Sequence, residues 1–125
     1  MEITIDDNLT IEAIQKEFSG AYPFLKIEFV SPSLKKTKAI AGSELFLPQR
    51  KLVTVRDKHT SGKISIDPER HVREVLDELE QTFGLSAKIF RKFGNMWIEA
   101  GLTDHWTLAL QNSEGQEISE TFTKK

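Results

Sequence analysis

The stretch "GKISIDPERHVREVLDELEQTFGLSAKIF", residues 62–90, reads as a second copy of the opening "MEITIDDNLTIEAIQKEFSGAYPFLKIEF", residues 1–29. At a constant offset of 61, Ile3, Thr4, Ile5 and Asp6 fall on Ile64, Ser65, Ile66 and Asp67. Ile11, Ile14, Phe18, Tyr22 and Phe24 fall on Val72, Val75, Leu79, Phe83 and Leu85, and Phe29 falls on Phe90. Each copy therefore reads as an alternating strand, an acidic turn, an amphipathic helix and a second strand. One such unit leaves a face of its strands uncovered, whereas two packed together close a shared core.

The helices are the firmest expectations. Ile11, Ile14, Phe18 and Tyr22 recur at spacings of three and four, with Thr10 as N-cap, Leu9 placed to staple onto Ile14, and Pro23 as the stop. Val72, Val75, Leu76, Leu79 and Phe83 make the second stripe, entered through Asp67-Pro68 and closed by Gly84. Asp6 and Asp67, equivalent in the two copies, are expected to cap helix N-termini. "KLVTVR" predicts a strand turned back through "DKHTSG" into "KISID", and "FGN" the turn of a hairpin between "SAKIFRK" and "MWIEAG". "TDHWTLALQNSEG" predicts a short helix with Asp104 as N-cap, Gly115 as its stop, and Trp106, Ala109 and Leu110 inward.

These elements predict one α+β domain over 1–125, a two-layer sandwich with helices on one face of a mixed sheet. Its pseudo-repeat spans 1–30 and 62–91, its basic insert 31–61, its C-terminal hairpin and short helix 86–115, and its frayed tail 116–125. The arrangement is similar to ferredoxin-like folds; a β-grasp arrangement is the alternative.

Composition excludes more than it selects. With no cysteine, disulfides, thiol catalysis and thiolate metal sites are removed. No run is long enough to span a bilayer, no signal-peptide pattern opens the chain, and a strand-like pattern begins at Ile3, which together predict a cytoplasmic protein. The net charge of −2 hides a polarised distribution: residues 31–63 hold eight Lys or Arg against Glu44 and Asp57. His59, His71 and His105 are scattered without metal-site spacing, and no glycine-rich phosphate loop or nucleophile elbow is present. The expectation is no enzyme, no cofactor and no metal.

Two stretches carry the binding expectation. Lys35, Lys36, Lys38, Arg50 and Lys51 lie in the basic insert, which also holds the apolar cluster Leu45, Phe46 and Leu47. "KIFRKFGNMW" interleaves cations with aromatics, and Arg91, Lys92, Phe93 and Trp97 are its anchors because Trp and Arg dominate interface hot spots. The two stretches together predict a protein-interaction or adaptor domain whose partner is another protein or a second copy, with edge strands as a further route. The alternative is nucleic-acid binding by segment 31–63 and the hairpin 88–97.

"FRKFGNMWIE" (Phe90 to Glu99) and "TDHWTLALQNSEG" (Thr103 to Gly115), with the strand–helix–strand before them, resemble an uncharacterised family of small soluble bacterial proteins. The resemblance covers the C-terminal half from Ile64. It implies a bacterial origin and brings no activity, cofactor or catalytic residue.

Overall fold

Alternation sets the first strand: in β1 (Glu2–Ile5) the side chains of Ile3 and Ile5 are buried while Glu2 and Thr4 are exposed. The structure, a computed structural model, describes residues 1–31 and 45–123. Helix α1 (Ile11–Ala21) starts where Thr10 Oγ1 accepts the Ala13 N–H at 3.2 Å, and it buries Ile11, Ile14 and Phe18. Strand β2 (Leu25–Val30) follows, then a 3₁₀ turn (Leu52–Thr54) and β3 (Gly62–Ser65). Helix α2 (Val72–Phe83) opens at His71, whose backbone N–H donates to Glu74 Oε1 at 3.0 Å. It closes at Gly84, which takes the left-handed φ of 66° that glycine adopts without a Cβ penalty. Strands β4 (Ser86–Phe93) and β5 (Met96–Glu99) and helix α3 (Leu108–Thr123) complete the chain.

The protein is thus α+β, with three helices and two antiparallel sheets among the described residues. One is the pair β1–β3, in which Ile3 faces Ile64; the other has the order β2–β4–β5, with Ile27 facing Ile89. Leu45 bridges Val30 on the edge of β2 away from β4, and Phe46 N–H bonds Phe29 O at 2.9 Å. One apolar cluster joins both halves, from Ile3, Ile5, Phe18 and Leu25 to Val75, Leu79, Phe83 and Ile89. Tyr22 Oη closes one side of it by donating to Ile66 O at 2.6 Å.

Hydrogen bonds outside the regular elements recur in the two halves. Leu9 N–H to Asp6 O is matched by Arg70 N–H to Asp67 O, and Ile11 N–H to Arg50 O by Val72 N–H to Trp106 O. Glu12 N–H to Pro48 O is matched by Arg73 N–H to Asp104 O, and Leu52 N–H to Leu9 O by Leu108 N–H to Arg70 O. The bridge Thr10–Lys51 is matched by His71–Thr107. The 3₁₀ turn at Leu52 therefore stands where α3 begins in the second half.

Several expectations are corrected. Segment 52–55 is no strand, because Leu52 and Val53 give their N–H groups to Leu9 O and Asp7 O in the loop entering α1. Strand β3 consequently pairs with β1, and no parallel pair exists among the described residues, so one mixed sheet is replaced by two antiparallel ones. The last helix starts at Leu108, not at Asp104: Thr107 Oγ1 caps Leu110 N–H at 3.1 Å, while Asp104 pairs with Arg73 at 2.9 Å. It runs through Gly115 to Thr123, so 116–123 is no frayed tail. Among its described side chains Leu108, Gln111, Gly115 and Ser119 are buried; Ala109 and Leu110 are exposed and Trp106 is half-buried. Glycine costs roughly 1 kcal/mol in a helix, and here it permits close approach, since a Cβ on Gly115 would lie 3.0 Å from Phe24 Cβ and from Arg91 Cγ. Asp6 and Asp67 cap no helix: Asp6 accepts the Asn8 N–H, and Asp67 holds the Met1 amine at 2.7 Å.

Candidate interaction surface

The register of β2, β4 and β5 decides which side chains share a face. Lys26 faces Phe90, Phe90 faces Glu99, and Lys92 faces Trp97, so these five stand on one side of the sheet. Leu25, Ile27, Ile89 and Arg91 stand on the other, which carries the core. On the outer side Lys26 Nζ sits 5.3 Å from the Phe90 ring centre and 5.2 Å from that of Trp97, and Lys92 Nζ is 5.9 Å from Trp97. Such cation–ring contacts hold rings and cations as one platform. Lys88 pairs with Glu99 at 3.1 Å and Lys26 with Glu28 at 3.5 Å, whereas no carboxylate of the described residues pairs with Lys92. Trp97 keeps 36 % of its surface exposed and Met96 61 %, both on β5.

Among the described residues, strand β5 is one edge of the sheet. Ala100 N–H bonds Ile89 O at 2.9 Å. By antiparallel alternation the inward-bonding residues after it are Ile98 and Met96, and the main-chain groups of Trp97 and Glu99 point away from β4. Gly94, with φ of 64°, makes the two-residue turn between Phe93 and Met96. The edge carries neither Pro nor Lys, two of the devices that blunt exposed strands.

The expected anchors are divided between places. Lys92 and Trp97 share the outer face. Arg91 turns the other way, its guanidinium 5.4 Å from the Trp106 ring centre and its Nη1 3.3 Å from Gln111 Oε1. Phe93 faces Met96 at the hairpin end, on the Arg91 side by alternation. Arg50 donates to Thr54 O at 2.7 Å and lies over the Phe46 ring. Lys51 precedes the 3₁₀ turn and bridges Thr10. Phe46 lies on the β2 edge and Trp97 on the β5 edge, at opposite sides of the sheet, so Arg50 is not part of one patch with the hairpin. Lys35, Lys36 and Lys38 lie outside the described residues. Lys26 is missed by sequence reasoning, because only the β2–β4 register brings it to Trp97.

A second polar cluster is built around Arg56. Its side chain is fully buried and pairs with Asp7 at 2.8 Å, donating also to Thr60 O and Phe83 O. Partial burial pushes the Asp7 carboxyl up, but Arg56 and then His59 outweigh it and hold the group below the ordinary carboxylate range. His71 lies beside Glu74 and His105 beside Trp106. No helix of the described residues is long and apolar enough to cross a membrane.

Compared with protein-family models, with curated proteins and with solved structures, the chain matches none.

Proposed function

We propose that the chain is a non-enzymatic protein-interaction module that takes an extended segment of a partner along the β5 edge. The observation that carries this reading is the outward main-chain pair at Trp97 and Glu99, on a strand whose outer side chains form an aromatic and cationic platform. Strand addition draws affinity from main-chain hydrogen bonds and specificity from alternate side chains. Trp97 is the anchor, and Lys92 selects a partner carboxylate. An acidic segment of a cytoplasmic protein fits this edge better than nucleic acid, because Lys26 and Lys88 already hold Glu28 and Glu99. The ferredoxin-like likeness enters this reading only through the strand–helix–strand order, which both halves share.

The test is a displayed library of random peptides selected on the full chain, with a labelled single-stranded oligonucleotide as the counter-probe. Peptides alternating apolar and acidic residues are expected, with amide exchange slowed at Trp97 and Glu99 on binding. Trp97→Ala is expected to lose at least tenfold in affinity, and Lys92→Glu to invert the charge preference. Selected peptides indifferent to Trp97 would overturn the proposal. Oligonucleotide binding that weakens steeply with salt would replace it by the nucleic-acid reading.

A further inference from the structure

Arg70 ties the edge of β3 to helix α2. Its Nη1 donates to Ser65 O at 2.9 Å and to Glu78 Oε1 at 2.7 Å, so one guanidinium bridges strand and helix. The pair is largely covered, with 21 % of the Arg70 side chain and 33 % of that of Glu78 exposed. The ladder explains why the Ser65 carbonyl can accept. Ile66 N–H bonds Met1 O at 2.8 Å, so by antiparallel alternation the main-chain groups of Ser65 point away from β1.

At the offset of 61 the same frame recurs without its cation. Thr4, Leu9 and Glu17 fall on Ser65, Arg70 and Glu78. The backbone agrees, since Leu9 N–H bonds Asp6 O as Arg70 N–H bonds Asp67 O, both at 3.0 Å. The same alternation turns the Thr4 carbonyl away from β3. A cavity of about 240 Å³ lies here, lined by Thr4, Leu9, Ala13, Ile14 and Glu17, which are 61 residues before Ser65, Arg70, Glu74, Val75 and Glu78. Burial follows the difference: Ser65 and Glu78 are half-buried, whereas Thr4 and Glu17 are exposed. Among the described residues no cation pairs with Glu17. Lys16 holds Glu12 at 3.0 Å, and Lys63, opposite Thr4 in the ladder, does not reach it.

We infer that this cavity is a guanidinium site, which takes an arginine side chain of a partner protein where the second half carries its own Arg70. The walls fit that group. The planar fork of arginine can donate to the Thr4 carbonyl and the Glu17 carboxylate together, as Arg70 does to Ser65 and Glu78. Leu9, Ala13 and Ile14 offer apolar surface to its methylene stem. The lining holds no cation for an α-carboxylate, so the source is a side chain within a polypeptide and not the free amino acid. The site belongs to the β1–β3 sheet and is independent of the β5 edge.

The probe is the peptide acetyl-Ala-Arg-Ala-amide, titrated into the full chain and followed by amide shifts. Saturable shifts at millimolar peptide are expected at Thr4, Leu9 and Glu17, with none at Trp97 and Glu99. The citrulline peptide, which keeps the shape and loses the charge, is expected to bind about tenfold more weakly, and so is the arginine peptide to Glu17→Gln. The lysine peptide, a point charge in place of a fork, is expected to fall between the two. Leu9→Arg supplies the guanidinium from the chain itself and is expected to abolish peptide binding. Its thermal midpoint should exceed that of the double variant with Glu17→Gln, which reads the new pair directly. No saturation, equal binding of the citrulline peptide, or indifference to Glu17→Gln would each overturn the proposal. Tighter binding of free arginine than of the peptide would overturn the assignment to a partner's side chain.

Discussion

Ile3 faces Ile64 across the β1–β3 ladder, and the two lie 61 residues apart, the offset at which the two stretches align. The β2–β4 ladder behaves likewise: Leu25 faces Arg91 and Val30 faces Ser86, two pairs that exchange when each residue is moved by 61. Both ladders are thus consistent with an internal two-fold relation between like strands. A shift of 61 residues turns each ladder onto itself, the pattern that a two-fold axis produces between strands of a symmetric dimer.

Tyr22 is the only tyrosine, so its ionisation can be followed alone by absorbance. Burial, then Asp67 and Glu69, pushes it up to about 12. The folded pKa is raised, so its contribution to stability is full below about 10, the unfolded value, and is lost as pH rises toward 12. A folded-state midpoint near the ordinary value would contradict the Tyr22–Ile66 hydrogen bond. Tyr22→Phe, which leaves Ile66 O without its donor, should cost about 1–2 kcal/mol in denaturant titration.

Acid should unfold the protein through three depressed carboxyls. Asp67 is held down by the Met1 amine and Ser65, Glu74 by the His71 backbone N–H, and Asp7 by Arg56 and His59 against the upward push of burial. Their folded pKa values lie below the unfolded ones, so this stability is present above the ordinary carboxylate range and lost as pH falls through the depressed values. Asp7→Asn should flatten the acid limb of a denaturation-against-pH curve; an unchanged limb would show the pair to be inert.

Arg56 is a buried charge whose removal should be costly to the fold. Arg56→Ala leaves Asp7, Thr60 O and Phe83 O without their donor and should destabilise by about 3 kcal/mol. Arg56→Lys, a point charge in place of a fork, should recover less than half of that loss. Chemical denaturation of both variants checks this.

Neighbouring Arg91 and Lys92 should behave oppositely. Arg91→Ala removes the contacts to Trp106 and Gln111 under α3 and should cost about 1–2 kcal/mol, whereas Lys92→Ala should stay within about 0.5 kcal/mol of the parent. Equal losses would mean that the two faces are wrongly assigned.

Two glycines report on packing. Gly84→Ala forces a left-handed φ on alanine and brings its Cβ to 2.7 Å from Lys58 Cβ, a distance no contact tolerates. A loss of about 2 kcal/mol or more is expected, since left-handed φ on a non-glycine residue alone costs about 1–3 kcal/mol and the clash with Lys58 adds to it. Gly115→Ala gains helix propensity of about 1 kcal/mol but meets Phe24 and Arg91, so the net effect should be destabilising. A stabilised Gly115→Ala would mean that α3 does not seat there.

Much of this architecture was legible in one dimension. The stripes of α1 and α2, the cap at Thr10, the stop at Gly84 and the turn at Gly94 are local: periods of 3.6 and 2, a hydroxyl before an apolar run, and a positive φ each leave a mark within a few residues. What failed was decided at long range. "LVTV" has strand composition, yet its N–H groups are spent on Leu9 and Asp7, some forty residues earlier. Gly115 looks like a helix stop, yet it is the point where α3 touches Phe24 and Arg91. The platform at Trp97 needed Lys26, which enters only through the β2–β4 register. By itself the sequence determined α1, α2, the strands beside them and the hairpin turn, with the apolar faces of those two helices, because these follow from neighbours along the chain. Only the tertiary structure decided which strands pair and which of them lies at a sheet edge among the described residues, because main-chain hydrogen bonds carry no side-chain signature of their partner.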